Sequence, residues 1–198
     1  MKATLHDERL DLVTGLLLQS GADSVLDLGC GAGRLLACLL RHPQFARVTG
    51  IDVSADALAV ARHELQPRAG QSRLQLMHAN CTRPLDGLPF HEAATMVETI
   101  EHFDPGVLSA AERTLFTCYR PYVAIATTPN REYNPLLGLP EGRLRDPDHR
   151  FEWDRARFRA WAVGVARRNG YAVRVGGIGE PDDEFGAPGQ YAYFSRDQ

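Results

Sequence analysis

Lysine is almost missing from this chain of 198 residues: Lys2 stands alone, so its positive charge is carried by arginine. The net charge of −3 excludes a protein that grips long nucleic acid mainly through its electrostatic field, and leaves room for one that reads a single end. Cysteine is scarce. Cys30, Cys38, Cys81 and Cys118 never fall in a C-x-x-C pair, so neither a zinc ribbon nor a disulfide framework is indicated and reduced thiols are expected. No apolar run is long enough to cross a membrane, and the start, Met1-Lys2-Ala3-Thr4-Leu5-His6-Asp7-Glu8, is too polar and acidic for a secretory signal. A soluble, cytoplasmic protein without a membrane partner is expected. Low-complexity segments and repeats of fixed period are also missing.

What is present suffices for a full core. With 44% hydrophobic and 24% charged residues, the length fits one domain over residues 1–198 and is short for two. Leu10, Leu12, Val13, Leu16 and Leu17 recur at helical spacing between Glu8 and Gln19, and Gly21 stops that helix. Ser24–Leu28 reads as a buried strand that runs into Gly29-Cys30-Gly31-Ala32-Gly33 and then into a helical pattern from Arg34 to Arg41. A second strand, Arg47–Ile51, ends in Asp52. Ser54 caps a helix over Ala55–Leu65, which the turn Pro67-Arg68-Ala69-Gly70 ends. A third strand, Leu74–Met77, leads to His78-Ala79-Asn80-Cys81. There Asn80 is either an adenine contact or an ordinary turn residue.

The densest chemistry is Glu98-Thr99-Ile100-Glu101-His102, directly after the apolar run Ala93–Val97. If that run is a central strand, its carboxyl end is where open α/β sheets place ligands, and a first helical turn starting there gathers Glu98, Glu101 and His102 around one point. Such a set suits a divalent ion held by oxygen and nitrogen. The plain alternative is a helix start whose acids favour the dipole and whose cap is Thr99 or Asp104.

The glycine run has an acid before its first glycine, Asp27-Leu28-Gly29-Cys30-Gly31-Ala32-Gly33. That acid would repel a pyrophosphate and attract a cationic ammonium or sulfonium group. Asp52, about twenty residues past the glycines, is placed to accept both hydroxyls of a ribose. D-x-G-x-G-x-G resembles motif I of the class I S-adenosylmethionine-dependent methyltransferases, and Gly50-Ile51-Asp52-Val53-Ser54 resembles their ribose-binding strand end. The resemblance implies an α/β, Rossmann-like fold, a seven-stranded and mostly parallel sheet with helices on both faces. It makes Asp27, Gly29, Gly31, Gly33, Asp52 and Asn80 the cofactor-binding candidates. The later pattern agrees: Gly106–Tyr119 as a helix, Tyr122–Ala126 as the fifth strand, Asp154–Asn169 as a helix, and Tyr171–Ile178 with Gln190–Phe194 as a closing antiparallel pair. Asp27, Asp52, Asn80, Glu98 and Thr127 are expected to face one rim.

Between Thr127 and Trp153 lie about 25 residues of little periodicity, and irregular segments of that length are usually functional. Together with E-x-x-E-H, the blocks Thr127-Thr128-Pro129-Asn130-Arg131-Glu132-Tyr133-Asn134, Asp148-His149-Arg150-Phe151-Glu152-Trp153 and Gly186-Ala187-Pro188-Gly189-Gln190 resemble the small-RNA 3′-terminal nucleotide 2′-O-methyltransferases. A bacterial branch of that family works beside an RNA end-repair kinase and ligase. The resemblance covers nearly the whole chain and implies Glu98, Glu101, His102 and His149 as metal ligands and catalytic residues. Imidazole ligands would favour manganese, cobalt or iron over magnesium, with manganese preferred and magnesium or cobalt the alternatives, and the substrate implied is an RNA 3′ end with free 2′ and 3′ hydroxyls. His102 and His149 both stay open as the general base. This chain departs from the bacterial pattern at Asp146-Pro147 and Gly189, which puts RNA contacts rather than ligands in question. Arg131, Arg143, Arg145 and Arg150 are candidates for phosphate contacts, or else pair with Glu132, Glu141 and Asp148. Phe151 and Trp153 either anchor the loop in the core or, for Phe151, flank the terminal base. Two rival functions are a catechol-type small-molecule O-methyltransferase and a non-enzymatic S-adenosylmethionine-binding adaptor.

Overall fold

The computed structural model describes residues 4–69 and 73–197. Helix α1 (Leu5–Ser20) starts earlier than its apolar spacing implies, because Thr4 caps it: Asp7 N donates to Thr4 Oγ1 at 3.2 Å, and Thr4 N donates back to Asp7 Oδ2 at 3.0 Å. Gly21, at φ 76°, closes the helix in the left-handed region. Strand β1 (Ser24–Leu28), helix α2 (Arg34–Leu39), strand β2 (Arg47–Asp52), helix α3 (Ala55–Ala69) and strand β3 (Leu74–His78) then alternate. Helix α3 outruns the turn expected at Pro67, its backbone staying helical to Ala69; Gly70 lies outside the described residues.

Strand β4 (Ala93–Val97) comes next, then a single 3-10 turn (Ile100–His102) and helix α4 (Pro105–Arg113), which continues as a π-helical turn over Thr114–Tyr119. The helical turn expected from Glu98 onward is therefore not formed. Glu98 sits outside it at φ 51°, a left-handed backbone that turns the chain sharply off the strand. Strand β5 (Val123–Pro129) is longer than its apolar stretch, since Thr127, Thr128 and Pro129 pair with Tyr191, Gln190 and Gly189. The irregular segment thus begins at Asn130, and its first part is a 3-10 helix (Arg131–Leu137). Helix α5 (Arg155–Asn169), capped by Asp154, precedes strands β6 (Ala172–Ile178) and β7 (Gly189–Ser195).

The sheet order is β3-β2-β1-β4-β5-β7-β6, with β7 antiparallel between β5 and β6 and the other neighbouring strands parallel. This is the expected α/β architecture. Helices α1, α2 and α3 cover one face, where Val13, Leu17, Leu36 and Leu58 pack on Val25 and Val48. Helices α4 and α5 cover the other, where Phe116 and Phe158 meet Leu26, Met96 and Phe194. Phe116 and Phe158 are almost wholly buried, and truncating such a side chain costs about 3–5 kcal/mol. With a filled core on each face, the place where such a sheet presents ligands is the rim at the carboxyl ends of its parallel strands. Among the described residues no helix is long and apolar enough to cross a membrane, and none of the four cysteines is disulfide-bonded.

Candidate active site

A cleft of about 640 Å³ opens at that rim and runs from Asp52 and Asn80 at one end to Glu98 and His102 at the other. The glycine loop builds its floor with main chain. Gly31 N donates to Asp52 Oδ2 at 2.7 Å and Ser54 N to Asp52 Oδ1 at 2.8 Å, so the acid at the end of β2 is aimed before any ligand arrives. Gly29, at φ 83°, lets Thr99 close over it: a Cβ there would lie 2.5 Å from Thr99 Cγ2.

The other cofactor candidates divide. Asn80 lines the cleft, but its side-chain oxygen accepts from the amide and hydroxyl of Thr82, the turn role. Gly33 does not line it. At φ 80° it packs α2 against α3, where a Cβ would meet Leu65 Cδ1 at 2.7 Å, so its requirement is steric rather than ligand-directed. Asp27 does not reach the cleft wall either. It is buried within β1, accepts from Thr95 Oγ1 at 2.7 Å, and burial pushes its carboxyl up to about 7. Thr127, expected at the rim, is fully buried and serves Glu98 instead.

At the other end the fold draws together Glu101, His102 and His149, whose potential ligand atoms lie within 4.8 Å of one another. The two imidazole rings meet edge to face with centres 4.9 Å apart. Glu101 has no exposed surface. Its Oε2 accepts from Thr128 Oγ1 at 3.0 Å, while Oε1 has no partner among the described residues. Burial, reinforced by the neighbouring Glu98 carboxylate, drives the Glu101 carboxyl well above its ordinary range. A buried acid with a free oxygen beside two imidazoles is physically unfavourable unless a proton or a cation completes it. His102 is exposed toward the cleft, so this cluster and the cofactor end share one space.

Glu98 stands apart from the three. Its Oε2 pairs with Arg9 Nη2 at 2.9 Å, and its Oε1 accepts from Thr127 Oγ1 at 3.0 Å. Arg9 comes from α1 and is 6% exposed, a buried charge that the motifs do not single out. A signal exists all the same: Arg9, Val13 and Leu16 share the i, i+4, i+7 stripe that faces the core, where an arginine needs an acid partner.

The late loop brings in His149. Arg150 N donates to Glu101 O at 2.7 Å, pinning the loop to the 3-10 turn. Glu152, buried, collects three donors at 2.7 Å: Asn134 Nδ2, Arg145 N and His149 Nδ1. With those donors converging, Glu152 accepts, so His149 Nδ1 carries the proton and its Nε2 is left for the cluster. In the sequence Glu152 figures only as part of a motif, although its place three residues after His149 is one helical-turn spacing and hints at the pair. Arg145 is a strut rather than a phosphate contact. Its Nε donates to Asn134 Oδ1 at 2.6 Å, its Nη1 to Pro188 O at 2.8 Å, and its Nη2 to Asn130 O. Arg150 is exposed, with Asp104 at 3.6 Å; Arg131 and Arg143 are exposed as well. Of the anticipated acid partners, Glu132 pairs instead with Arg155, at 2.7 Å. Phe151 stacks on the buried Trp153 with ring centres 4.5 Å apart, which favours the anchoring role.

This geometry has known counterparts. A family model described as a methyltransferase domain matches residues 25–122. The small RNA 2′-O-methyltransferase of Mus musculus is 32% identical over 188 residues, covering 91% of this chain and 47% of the mouse protein. The methyltransferase domain of bacterial CtHen1 is 42% identical with a TM-score of 0.88, and the match covers 98% of this chain and 100% of that one. The small RNA methyltransferase HEN1 structure is 29% identical with a TM-score of 0.91, matching 100% of this chain and 26% of that one. The chain spans about half the length of the curated mouse relative. Matched from end to end by a solved Hen1 domain, and carrying the glycine cradle of a class I methyltransferase, the chain belongs to the small RNA 2′-O-methyltransferase family, whose methyltransferase domain it represents.

Proposed function

We propose that this domain transfers a methyl group from S-adenosylmethionine to the 2′-hydroxyl of the 3′-terminal nucleotide of an RNA, with a divalent cation held by Glu101, His102 and His149, and by Glu98 through the lone pairs that Arg9 and Thr127 leave free. The observation that carries the reading is Glu101: fully buried, one oxygen unpartnered, and within 4.8 Å of ligand atoms on two imidazoles. Such a mixed oxygen and nitrogen set suits manganese, cobalt or iron better than magnesium, which prefers an all-oxygen octahedron. When bound, the cation supplies Lewis acidity and open positions that suit the vicinal hydroxyls of a terminal ribose.

The chain's own groups do the positioning. Thr128 orients Glu101, Glu152 fixes the His149 ring, and Arg9 offsets the charge of Glu98 in the completed donor set. Asp52 keeps outward lone pairs for the hydroxyls of the donor's ribose while its inner ones hold Gly31 and Ser54. A donor whose ribose is held by Asp52 would reach along the cleft toward His102. An internal ribose has its 3′-oxygen in a phosphodiester and cannot present the same pair of hydroxyls, which makes the site end-selective. The proposed partners are enzymes that expose such an end or use it once it is methylated, of the RNA end-repair kinase and ligase class.

Labelled methyl transfer tests the reading on three acceptors: RNA with a terminal 2′,3′-diol, the same RNA with a 3′-phosphate, and a catechol. Transfer to the diol alone, strongest with manganese, is expected. Equal transfer to the phosphate end, or undiminished turnover of Glu101→Ala in chelator, would overturn it, and a catechol product would turn the assignment to small molecules.

A further inference from the structure

Beyond the cleft lies a second groove, of about 610 Å³, walled by Pro105 and Leu108 of α4 on one side and by Phe151, Trp153 and Trp161 on the other. Its aromatic side is a ladder: Phe151 stacks on Trp153 with planes 23° apart, and Trp153 meets Trp161 at 5.6 Å. Arg131 and Arg157 stand exposed at its rim. Neither guanidinium pairs with a carboxylate among the described residues, and that of Arg157 lies 5.6 Å from the Trp153 ring centre. The acids of the groove are already engaged. Glu152 points its carboxylate into the His149 network, and Asp154 caps α5 by accepting from Arg157 N at 2.6 Å.

The groove adjoins the donor cluster. His149 stands two residues before Phe151, which lines it, and Asp104 lines the cleft where Pro105, next in the chain, lines the groove. Arg131 N donates to Trp153 O at 3.1 Å, so rim and ladder form one piece. Phe151 and Trp161, half-buried anchors of the core, leave part of each ring at the groove beside the unpaired guanidinium forks, and aromatic rings with basic groups are the elements that hold single-stranded nucleic acid, here mainly through phosphates on the forks. We propose that this groove holds the nucleotides on the 5′ side of the terminal one, a subsite for a single-stranded RNA tail leading into the cleft. The proposal rests on the RNA-end reading above and deepens it.

The test compares binding of the full chain to two labelled single-stranded RNAs with free 3′ hydroxyls, a dinucleotide and a decamer, across a salt series. For the wild-type chain the decamer is expected to bind more tightly. In the double variant Arg131→Glu with Arg157→Glu, that gain should fall about tenfold. The slope of log affinity against log salt should also flatten by about 1.4, the value for a single strand with two fewer of its phosphates neutralised. A double lysine variant, which keeps the charges, should restore most of the slope and shows that the glutamate pair acts through charge rather than misfolding. A wild-type gain and slope retained in the glutamate pair would overturn the subsite while leaving the RNA-end reading standing. Failure of the wild type to bind or methylate either RNA would instead remove both.

Discussion

The two ends of the cleft are built from different materials. At the β1–β3 end the cradle is main chain, with amides of Gly31 and Ser54 fixed on Asp52 and Gly29 lying under Thr99. At the β4–β5 end the cluster is side chain, drawn from α1, the turn after β4, the last residues of β5 and the late loop. A main-chain cradle fails when a Cβ is added, whereas a side-chain cluster fails when a functional group is removed. The first is set by local sequence, and the second exists only once distant segments meet.

The largest effect is expected from Glu101→Ala, which removes the only buried carboxylate within the three-residue cluster. Transfer should drop by more than the roughly 10–100-fold typical of losing an outer partner. Retention of activity would show that the side-chain end is not the reacting end. Glu152→Gln should weaken manganese binding by about 10–100-fold, because Gln can donate to His149 Nδ1 and so favour the wrong tautomer. A direct manganese titration reads this without any turnover. If the affinity is unchanged, the loop holds His149 by packing alone.

At the main-chain end the effects fall on stability. Gly33→Ala, strained at φ 80° and facing Leu65 at 2.7 Å, should cost about 1–3 kcal/mol in urea unfolding. Affinity for S-adenosylmethionine should change less than stability, since Gly33 lies outside the cleft. Of similar size is the pH dependence set by Asp27. Its carboxyl is raised from 3.8 to about 7, so across that window the folded chain keeps a proton that the unfolded chain has released, and stability falls as pH rises. Asp27→Asn removes that fall: the gain in Tm over wild type should be larger at pH 8 than at pH 5, and equal gains at both would place the Asp27 shift elsewhere.

The same contrast explains what the sequence disclosed. Strand, glycine turn and helix are neighbours in the chain, so the cradle is legible from spacing, whereas the seven-stranded sheet is expected only through the family resemblance. The motif assigns Gly33 and Asp27 to the ligand because it marks positions without distinguishing those that touch it from those that pack or lie behind. The acids and imidazole of the E-x-x-E-H segment are visible, but the backbone of Glu98 and its partner Arg9 are not, since a left-handed residue and a contact between α1 and the turn after β4 leave no local periodicity. Residue 149 enters only through the family resemblance. Its orientation depends on Asn134, Arg145 and Glu152, which converge by tertiary folding. The extension of β5 through Pro129 is hidden for a related reason: threonines at a strand end look like loop until β7 supplies their partners.

The strut at Arg145 has a further consequence. It fastens the histidine-bearing loop to a carbonyl at residue 188, just ahead of the final strand, while residue 9 of the first helix steadies the acid at 98. Early and late parts of the polypeptide must therefore both be in hand before the centre is complete. On a ribosome they emerge at different times, so the arrangement cannot close until the segment around residue 188 has been made.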